Sequence, residues 1–450
     1  MRKYISVWIL IICVLNACKQ DPRKAITFEN SKDINNLLAK MTDIMVHDIT
    51  NPPLASRFFS YSFLAGYEIV AQNDSSFPSM RGRLNGFPEI KEDKPSGKYD
   101  YQLSALLAII KTAKKLQPSG PLLEEFEKNI LDSLKGRGLS REIAENSKWY
   151  AENISQQILK YAKEDGYADI SNYPKYEASG EPGSWYPTPP AFIAAVEPYF
   201  NTVRPFTLVS ASQFKPEPPA PFSTDPQSFF YKLVTENYRD SLTTENIAIA
   251  SFWDCNPFVV DPIGHLMTAV KKISPGAHWL GIAGIACEKT KKGFNESMEI
   301  YTVVSIGLMD SFMACWDEKF SIDRIRPETA IRNLLDPHWQ PLLQTPPFPE
   351  YPSGHSTISG ASAQILTYYF GDDFSFDDTV EIPYGLPVRS FKSFKHASEE
   401  AAISRFYGGI HFMDAIEDGL EQGKSVGNWV LQKIHHNNEP NTAIGQRAAF

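Results

Sequence analysis

The chain has 450 residues, enough for one large domain or two domains of ordinary size. Hydrophobic residues make up 42% and charged residues 22%, which is the balance of a soluble globular protein with a substantial core. A formal charge of -9 argues against a nucleic-acid partner, because phosphate backbones are bound by clustered basic residues. It does not exclude an anion site, since a few buried cations can hold an oxyanion inside an acidic protein.

The first residues carry the pattern of a processing signal. Two basic residues precede an apolar run over residues 4–15, and small residues then lead into Cys18. This pattern is typical of a bacterial lipoprotein signal peptide over 1–17, with a lipid on Cys18 and a tether over 18–30. A plain secretory signal is the alternative. We expect a protein of the bacterial cell envelope, at the outer membrane or the periplasmic face, with the Cys18 lipid as its only membrane contact.

Most of the body is predicted to be helical, because apolar residues recur at helical spacing between Gly, Ser and Pro boundaries. The predicted helices cover residues 101–116, 121–135, 141–163, 296–319 and 356–369. Asn295 is placed to cap the fourth helix, and Gly371 is placed to stop the fifth. Alternating strand patterns are scarce, so the predicted fold class is all-α, built from packed helical bundles.

Residues 177–226 are the exception, because they are rich in Pro, Gly, Ser and aromatic residues. Prolines at this density cannot lie inside helices, and aromatic residues such as Trp185 would be unusual in a flexible linker. We therefore expect a long ordered loop that wraps over the body. It lies within an N-terminal helical half, 31–230, and is followed by a C-terminal helical half, 231–450, that carries the functional residues.

Three cysteines lie in the body, at Cys255, Cys287 and Cys315. None belongs to a CxxC pair, so the spacing predicts neither a disulfide framework nor a zinc site. We expect small buried hydrophobic residues, although one disulfide stays possible in an oxidising compartment.

The first of three functional clusters in the C-terminal third contains Lys319 and Arg326. They lie seven residues apart, close to two helical turns, so both can point the same way. Pro327 disfavours helical backbone at Arg326, and we expect a helix to end about there with both cations near its end. Alone, an Arg-Pro pair commonly marks only a helix end.

The second cluster is Pro352-Ser353-Gly354-His355. Ser353 offers a hydroxyl, and Gly354 lets its backbone N–H approach a ligand without an intervening side chain. The helix predicted to follow has free N–H groups and a positive dipole end, which favour an anion. His355 is placed beside that anion as a proton carrier, although a lone histidine is more often a core residue.

The third cluster contains Arg405 and His411. On one unbroken helix these side chains would point about 240° apart and could not share a ligand. Gly408-Gly409 interrupts the helix, so the chain can bend and bring both inward. Together the clusters supply cations, backbone donors, a hydroxyl and two histidines, which are what a tetrahedral oxyanion needs.

These clusters resemble the signature of the superfamily that joins type 2 phosphatidic acid phosphatases, bacterial acid phosphatases and vanadium haloperoxidases. In that signature a lysine and six residues precede Arg-Pro, then Pro-Ser-Gly-His follows, then Ser-Arg with a histidine after five more residues. All three parts match in order and spacing. The resemblance implies a helical-bundle fold.

Within the superfamily the chain looks like the haloperoxidase branch. Trp316 lies three residues before Lys319, and residues 346–351 leading into Pro352 also resemble that branch. The resemblance implies that Trp316 and Phe348 lie at a halide pocket. The lack of a long apolar segment in the body disfavours an integral lipid phosphatase.

The resemblance also implies a cofactor and a reaction. Vanadate would be held by Lys319, Arg326, Ser353, Gly354, His355 and Arg405, with His411 as the axial ligand of vanadium. His355 would take a proton from hydrogen peroxide, Lys319 would polarise the peroxide, and a halide would be oxidised.

Two alternatives stay open. One is a phosphatase without a cofactor, in which His411 attacks a phosphate ester and His355 protonates the leaving group. The other is an inactive lipoprotein that only binds oxyanions. It is suggested by Ala415, which stands where the family usually has an aspartate, four residues after the last histidine. Asp414 could orient His411 instead if the turn is tighter, or a backbone carbonyl could do so. The sequence does not indicate the oligomeric state.

Overall fold

The computed structural model describes Phe28 and residues 31–240, 242–263 and 266–435. In these parts of the chain the protein consists of thirteen α-helices, a few 3-10 turns and two short hairpins, which confirms the all-α prediction. The helices are α1 (Lys32–His47), α2 (Pro52–Asn73), α3 (Tyr101–Leu116), α4 (Leu123–Gly136), α5 (Arg141–Lys163), α6 (Phe229–Arg239), α7 (Thr244–Phe252), α8 (Pro275–Lys289), α9 (Phe294–Ile322), α10 (Pro327–Leu334), α11 (Gly354–Phe370), α12 (Phe394–Tyr407) and α13 (Met413–His435).

Both hairpins are antiparallel and short. Strand β1 (Val260–Ile263) pairs with β2 (Leu266–Ala269), and β3 (Phe376–Asp378) pairs with β4 (Arg389–Phe391). Strand β3 lies against α8, and the side chain of Asp378 at its end is fully buried.

The N-terminal bundle forms around α2, which packs against α3, α5 and α9. Its helices begin where the sequence supplies a capping side chain. Asn51, Asp100 and Ser140 each accept the backbone N–H of the third residue in α2, α3 and α5. These contacts satisfy N–H groups that a first helical turn leaves without partners.

Helix α9 is the central element, because it contacts α2 on one side and α11 and α13 on the other. Among the described helices it is the one that is long and apolar enough to cross a membrane, yet 94% of its apolar window is buried inside the protein. A helix that packs on all sides is apolar all round, so the core position explains its composition.

The start of α9 differs from the prediction. The helix begins at Phe294, and the side chain of Glu296 accepts the N–H of Gly293 at 3.0 Å. Asn295 lies inside the helix and donates to Asp74 at 2.8 Å. The prediction of Asn295 as the cap is therefore wrong, because Gly293 occupies the cap position.

The other predicted helices agree closely with the structure. The ranges 101–116 and 141–163 are confirmed at both ends. The helix predicted over 356–369 is α11, which ends at Phe370 with Gly371 as its C-cap. The range 121–135 divides into a 3-10 turn, Gly120–Leu122, and helix α4.

The Pro-rich segment 177–226 is an ordered loop, as predicted. Its helical structure is limited to two short 3-10 turns, Phe200–Thr202 and Ala211–Phe214. Asp310 of α9 accepts the backbone N–H groups of residues 206–208, and Trp185, which is buried, donates its backbone N–H to the carbonyl of Asp323 at 2.8 Å. The loop is thus fixed at residues 206–208 to the central helix and at Trp185 to the residue that follows that helix.

Helices α11 and α13 pack with their backbones in close contact. Gly419, Gly423 and Gly427 lie four residues apart on α13, and a Cβ added at Gly423 would lie 2.1 Å from the carbonyl oxygen of Thr357 on α11. No side chain fits at that distance. The glycine stripe therefore fixes the start of α11 against the start of α13.

Cys255, Cys287 and Cys315 are buried and free, so the disulfide that the sequence left possible does not form among the described residues. The signal peptide and the tether predicted over 1–30 lie outside the described residues, apart from Phe28. The division into two halves near residue 230 stays a prediction.

Candidate active site

The three sequence clusters meet around one narrow cavity of about 30 Å³. Its wall is polar on one side and apolar on the other. The polar side contains Gly354, His355, Arg405 and His411, and the apolar side contains Phe258, Phe312, Trp316, Pro346 and Phe348. Lys319, Arg326 and Ser353 are fully buried around these residues.

Lys319 lies near the end of α9 and donates to three backbone carbonyls. Its Nζ is 3.0, 3.0 and 2.6 Å from the carbonyl oxygens of Pro349, Glu350 and Pro352. Burial lowers the pKa of Lys319 to about 7. The carbonyl dipoles hold the ammonium group 5.1 Å from the ring centre of Phe348.

Arg326 lies between two helices rather than at the end of one. Helix α9 ends at Ile322, where Asp323 takes left-handed backbone with a φ of 55°, and Arg326 is extended as the N-cap of α10. Pro327 disfavours helical backbone at the preceding residue, which explains this conformation. The helix therefore ends four residues before Arg326, yet both cations lie against the cavity wall, because each is 5.1 Å from the ring centre of Phe348.

Each of the two guanidinium groups has one terminal nitrogen without a hydrogen-bond partner among the described residues, although Arg405 Nη1 lies 3.9 Å from Asp254 Oδ1. Arg326 donates from Nε to the Phe348 carbonyl at 2.9 Å, and Arg405 donates from Nη2 to the Ala250 carbonyl at 3.2 Å. Arg326 Nη2 and Arg405 Nη1 are buried and have no hydrogen-bond partner among the described residues. Burial lowers the pKa of Arg326 to about 10 and lowers that of Arg405 as well.

The start of α11 brings backbone donors and His355 to the same place. Ser353 caps the helix by accepting the N–H of Ser356 at 3.3 Å. The N–H groups of Gly354 and His355 are the first two of the helix and have no acceptor within it. The predicted anion-favouring helix start is therefore present at the cavity.

His355 presents a buried Nε2 with no partner among the described residues. Burial, followed by the Arg405 cation, holds the pKa of His355 well below its ordinary value. The imidazole is therefore neutral near pH 7 and able to accept a proton.

His411 is buried between a carboxylate and a cation. Its Nδ1 is 2.9 Å from Glu350 Oε1, and its Nε2 is 3.0 Å from Arg326 Nη1. Burial, and then the cations of Arg326 and Lys319, hold the pKa of His411 well below its ordinary value. Since a carboxylate accepts and a guanidinium donates, the proton lies on Nδ1 and the lone pair on Nε2.

Glu350, not Asp414, orients His411. Asp414 receives two hydrogen bonds from Arg324, at 2.6 and 2.7 Å, and Arg324 also donates to Glu350 Oε2 at 2.6 Å. The prediction of Asp414 as the orienting group is therefore wrong, because its carboxylate is engaged by Arg324. The residue that orients His411 is Glu350, which lies 61 residues before it in the sequence.

The helix interruption predicted at Gly408-Gly409 is confirmed. Helix α12 ends at Tyr407, α13 begins at Met413, and Gly409 has a φ of 72°. The bend brings Arg405 and His411 to the same cavity, as predicted from the two glycines between them.

Trp316 and Phe348 pack together on the apolar side of the cavity. Their ring centroids are 4.9 Å apart, and the guanidinium carbon of Arg326 lies 5.1 Å from the Phe348 ring. An apolar wall beside cations excludes water while it leaves room for a polarisable anion.

Two residues of the site, Glu350 and Arg324, were not predicted from the sequence. Both lie within or next to the sequence motifs. The signal that could have revealed Glu350 is a single acidic residue inside an otherwise apolar and Pro-rich run, because a buried carboxylate needs a specific partner.

The site fits a tetrahedral oxyanion. Three buried polar atoms, Arg326 Nη2, Arg405 Nη1 and His355 Nε2, have no partner among the described residues, and the first N–H groups of α11 are close by. Unpaired buried groups of this kind indicate a ligand, because each would otherwise carry the full desolvation penalty. The fold and the site thus define a helical oxyanion-binding protein.

Comparisons with known proteins identify the family. The first bacterial vanadium-dependent iodoperoxidase of known crystal structure is 44% identical to this chain, with a TM-score of 0.85, over 93% of this chain and 98% of that chain. A family model for the second helical-bundle domain of VCPO matches residues 333–439. The chain belongs to the vanadium-dependent haloperoxidase family.

More distant relatives agree. A bacterial vanadium-dependent chloroperoxidase in its holo form is 15% identical, with a TM-score of 0.64 over 93% of this chain and 94% of that chain, which supports the fold alone. Vanadium chloroperoxidase of Curvularia inaequalis is 31% identical over 86 residues, which are 16% of this chain and 14% of that protein.

Proposed function

We propose that this protein oxidises iodide with hydrogen peroxide and that vanadate, held in the cavity described above, is its cofactor. The observation that carries the proposal is the state of His411, a neutral ring whose Nε2 lone pair lies among buried cations. A metal-binding histidine generally has its other N–H held by an outer partner, and Glu350 is that partner for His411.

The residues present fit the cofactor. Arg326 Nη2 and Arg405 Nη1 would donate to vanadate oxygens, as would the Gly354 N–H, while Ser353 and Lys319 lie next to them. When bound, vanadate supplies a Lewis acid that activates peroxide without a change of oxidation state. Lys319 contributes through its charge, since three carbonyls already accept its N–H groups.

His355 is the group that moves a proton. Its ring is neutral and its Nε2 has no partner among the described residues, so it can take the proton that hydrogen peroxide loses on entering the site. The packed rings of Trp316 and Phe348 keep water away from the same space.

Iodide is the proposed halide for two reasons. The relative at 44% identity is an iodoperoxidase. Lys319 also donates to three backbone carbonyls, so it polarises peroxide through its charge rather than through a direct hydrogen bond. Iodide is the easiest of the common halides to oxidise and places the smallest demand on that polarisation.

The phosphatase alternative uses the same groups. The neutral His411, whose Nε2 accepts from Arg326 Nη1 in this structure, also has the form of a nucleophile for phosphorus, and His355 could protonate a leaving group. One experiment separates the two. Oxidation of iodide, bromide and chloride by peroxide is measured on the mature chain with orthovanadate, and p-nitrophenyl phosphate hydrolysis is measured without it.

Iodide oxidation that needs vanadate, exceeds that of bromide and chloride, and disappears in His411→Ala is the expected result. His338→Ala serves as the matched control, because His338 is an exposed histidine away from the cavity. Phosphate release without halide oxidation would show that the protein is a phosphatase. No activity in either assay would indicate a protein that only binds oxyanions.

We also propose that Cys18 carries a lipid that anchors the protein to the bacterial envelope. The support is the sequence pattern of residues 1–18. Labelled palmitate should be incorporated into the wild-type protein but not into Cys18→Ser. Cys13→Ser is the control and should be labelled, because Cys13 lies inside the predicted signal peptide. Equal labelling of Cys18→Ser and wild type would contradict the assignment.

A further inference from the structure

A second cluster of polar side chains lies beside the cavity, outside the oxyanion site. Cys255 follows α7, His278 lies on α8, and Glu381 follows strand β3. Their side chains are buried, with 2%, 0% and 5% of their surface exposed. The proposed reaction uses none of them.

The three ligand-type atoms are spaced as the corners of a small triangle. Cys255 Sγ is 3.5 Å from His278 Nδ1 and 3.6 Å from Glu381 Oε1, and His278 Nδ1 is 3.2 Å from Glu381 Oε1. Atoms bonded to one tetrahedral Zn²⁺ at about 2.0–2.3 Å lie about 3.3–3.6 Å from each other. The triangle therefore matches three corners of a tetrahedral zinc site, and its centre is about 2 Å from each corner.

An outer carboxylate fixes the histidine in the orientation that a metal requires. His278 Nε2 is 2.8 Å from Asp378 Oδ2, and Asp378 is held in turn by the backbone N–H of Val380 at 3.0 Å. The ring thus donates from Nε2 and turns Nδ1 towards Cys255 and Glu381. A carboxylate that orients the distal N–H is the usual outer partner of a zinc-bound histidine.

We propose that Cys255, His278 and Glu381 bind a zinc ion, with Asp378 as the outer partner of His278 and a water molecule at the fourth corner. The donor set favours zinc, because thiolate and imidazole suit it while Mg²⁺ and Ca²⁺ require oxygen ligands. The cysteine spacing predicted no zinc site. The proposed ligands form no local motif, because Cys255 and Glu381 are 126 residues apart in the sequence.

Proton release accompanies binding. Burial raises the pKa of the Cys255 thiol to about 11. Burial alone would lower the pKa of His278, but Asp378 raises it well above its ordinary value. Zinc requires a thiolate at Cys255 and a lone pair at His278 Nδ1, so protons on these atoms leave when the metal binds.

The position of the cluster indicates what the ion stabilises. Trp253 stacks on the His278 ring at 4.7 Å, and Cys255 and the two residues after it contribute to the cavity wall. Zinc would join the segment after α7 to α8 and to the residues after β3. That junction holds the wall of the oxyanion cavity in place.

The metal content of the purified chain is the first test. Untagged, vanadate-free protein is dialysed and analysed by mass spectrometry for zinc, and about one ion per chain is expected. Cys255→Ala should lose the zinc, while Cys287→Ala, which removes another buried cysteine far from the cluster, should keep it. Circular dichroism of each variant separates loss of metal from loss of fold.

Cobalt substitution provides a readout of the ligands. Co²⁺ bound by Cys255 should show a thiolate charge-transfer band in the near ultraviolet, absent in Cys255→Ser, and Asp378→Asn should weaken zinc binding about 10–100-fold. The proposal would be overturned if the wild-type protein contained no zinc and also showed no cobalt band. The cluster would then be a set of hydrogen-bonded side chains without a metal. Equal zinc in wild type and folded Cys255→Ala would overturn it too. Neither readout depends on halide oxidation.

Discussion

Glu350 connects the active-site histidine to a buried ion-pair network. Its Oε1 is bonded to His411 and to the backbone N–H of Phe412, and its Oε2 to Arg324. Arg324 completes the network with Asp414. Since a buried carboxylate is tolerated only when it is fully paired, each member holds the others in position.

Replacing Glu350 by glutamine should weaken vanadate binding about 10–100-fold, because outer partners of metal-binding histidines have effects of that size. The amide keeps the shape but removes the charge that fixes the His411 tautomer. Vanadate titration followed by ⁵¹V NMR measures the affinity without the reaction.

Asp418→Asn is the matched control for this substitution. Asp418 lies seven residues after His411 but accepts a hydrogen bond from Tyr351, not from the histidine. Its vanadate affinity should stay within about twofold of wild type. An equal loss in both variants would show that the effect is general to carboxylates near the site.

Glu68 should make the stability of the fold depend on pH. The residue is buried on α2, and burial raises its pKa from 4.5 to about 7 despite hydrogen bonds from Met80 and Ser79. Because the folded pKa is the higher one, the contribution of Glu68 to stability is present below pH 4.5 and is lost as the pH rises to about 7.

Glu68→Gln removes this dependence. Its free energy of unfolding relative to wild type should rise by up to about 3 kcal/mol between pH 4.5 and 7 and then level off. Urea unfolding of both proteins across this range measures the difference. A difference that stays flat would contradict the argument from burial.

The sequence predicted those site residues whose chemistry lies in local motifs. Lys319, Arg326, His355, Arg405 and His411 carry recognisable spacings. The structure places the last three in the lining of one cavity and the first two against its Phe348 wall. The Glu350 contact could not be predicted, because it joins residues 61 positions apart. The residues between them fold as α11, the β3–β4 hairpin and α12, and only the packing of these elements determines that distance.

At the scale of elements, the glycine stripe of α13 determines where the start of α11 lies. The backbone N–H of Ser353 donates to the carbonyl of Ala415 at 2.9 Å, so the two helices also share a hydrogen bond at this end. Helix lengths could be predicted from periodicity because they depend on local spacing. The close packing could not, because a helical glycine gives the same local signal whether it faces solvent or a backbone.

Gly423→Ala should destabilise the protein by about 1–3 kcal/mol or more, because overpacking a close contact forces the backbones apart. Gly136→Ala is the control, since nothing lies within 4 Å of a Cβ at that helical position. The control should be neutral or stabilising by up to about 1 kcal/mol. Denaturant unfolding of both variants gives the comparison, and an equal effect would contradict the role of the stripe.

At the scale of the whole molecule, the oxyanion is expected to stabilise the fold. Vanadate at about one hundred times its dissociation constant should add about 3 kcal/mol to the free energy of unfolding. Thermal unfolding with and without vanadate measures this, and His411→Ala should show a much smaller increase. A melting temperature that is indifferent to vanadate would contradict the assignment of the cavity.

Arg326 Nη2 and Arg405 Nη1, which lack hydrogen-bond partners in the part of the chain that the structure describes, have a consequence for the cell. They bind charge and tetrahedral shape, and phosphate offers both. In phosphate-containing surroundings the two ions are therefore expected to compete for the site. The fraction of protein that holds vanadate then depends on the ratio of vanadate to phosphate in the surroundings. The rate of halide oxidation therefore depends on the same ratio.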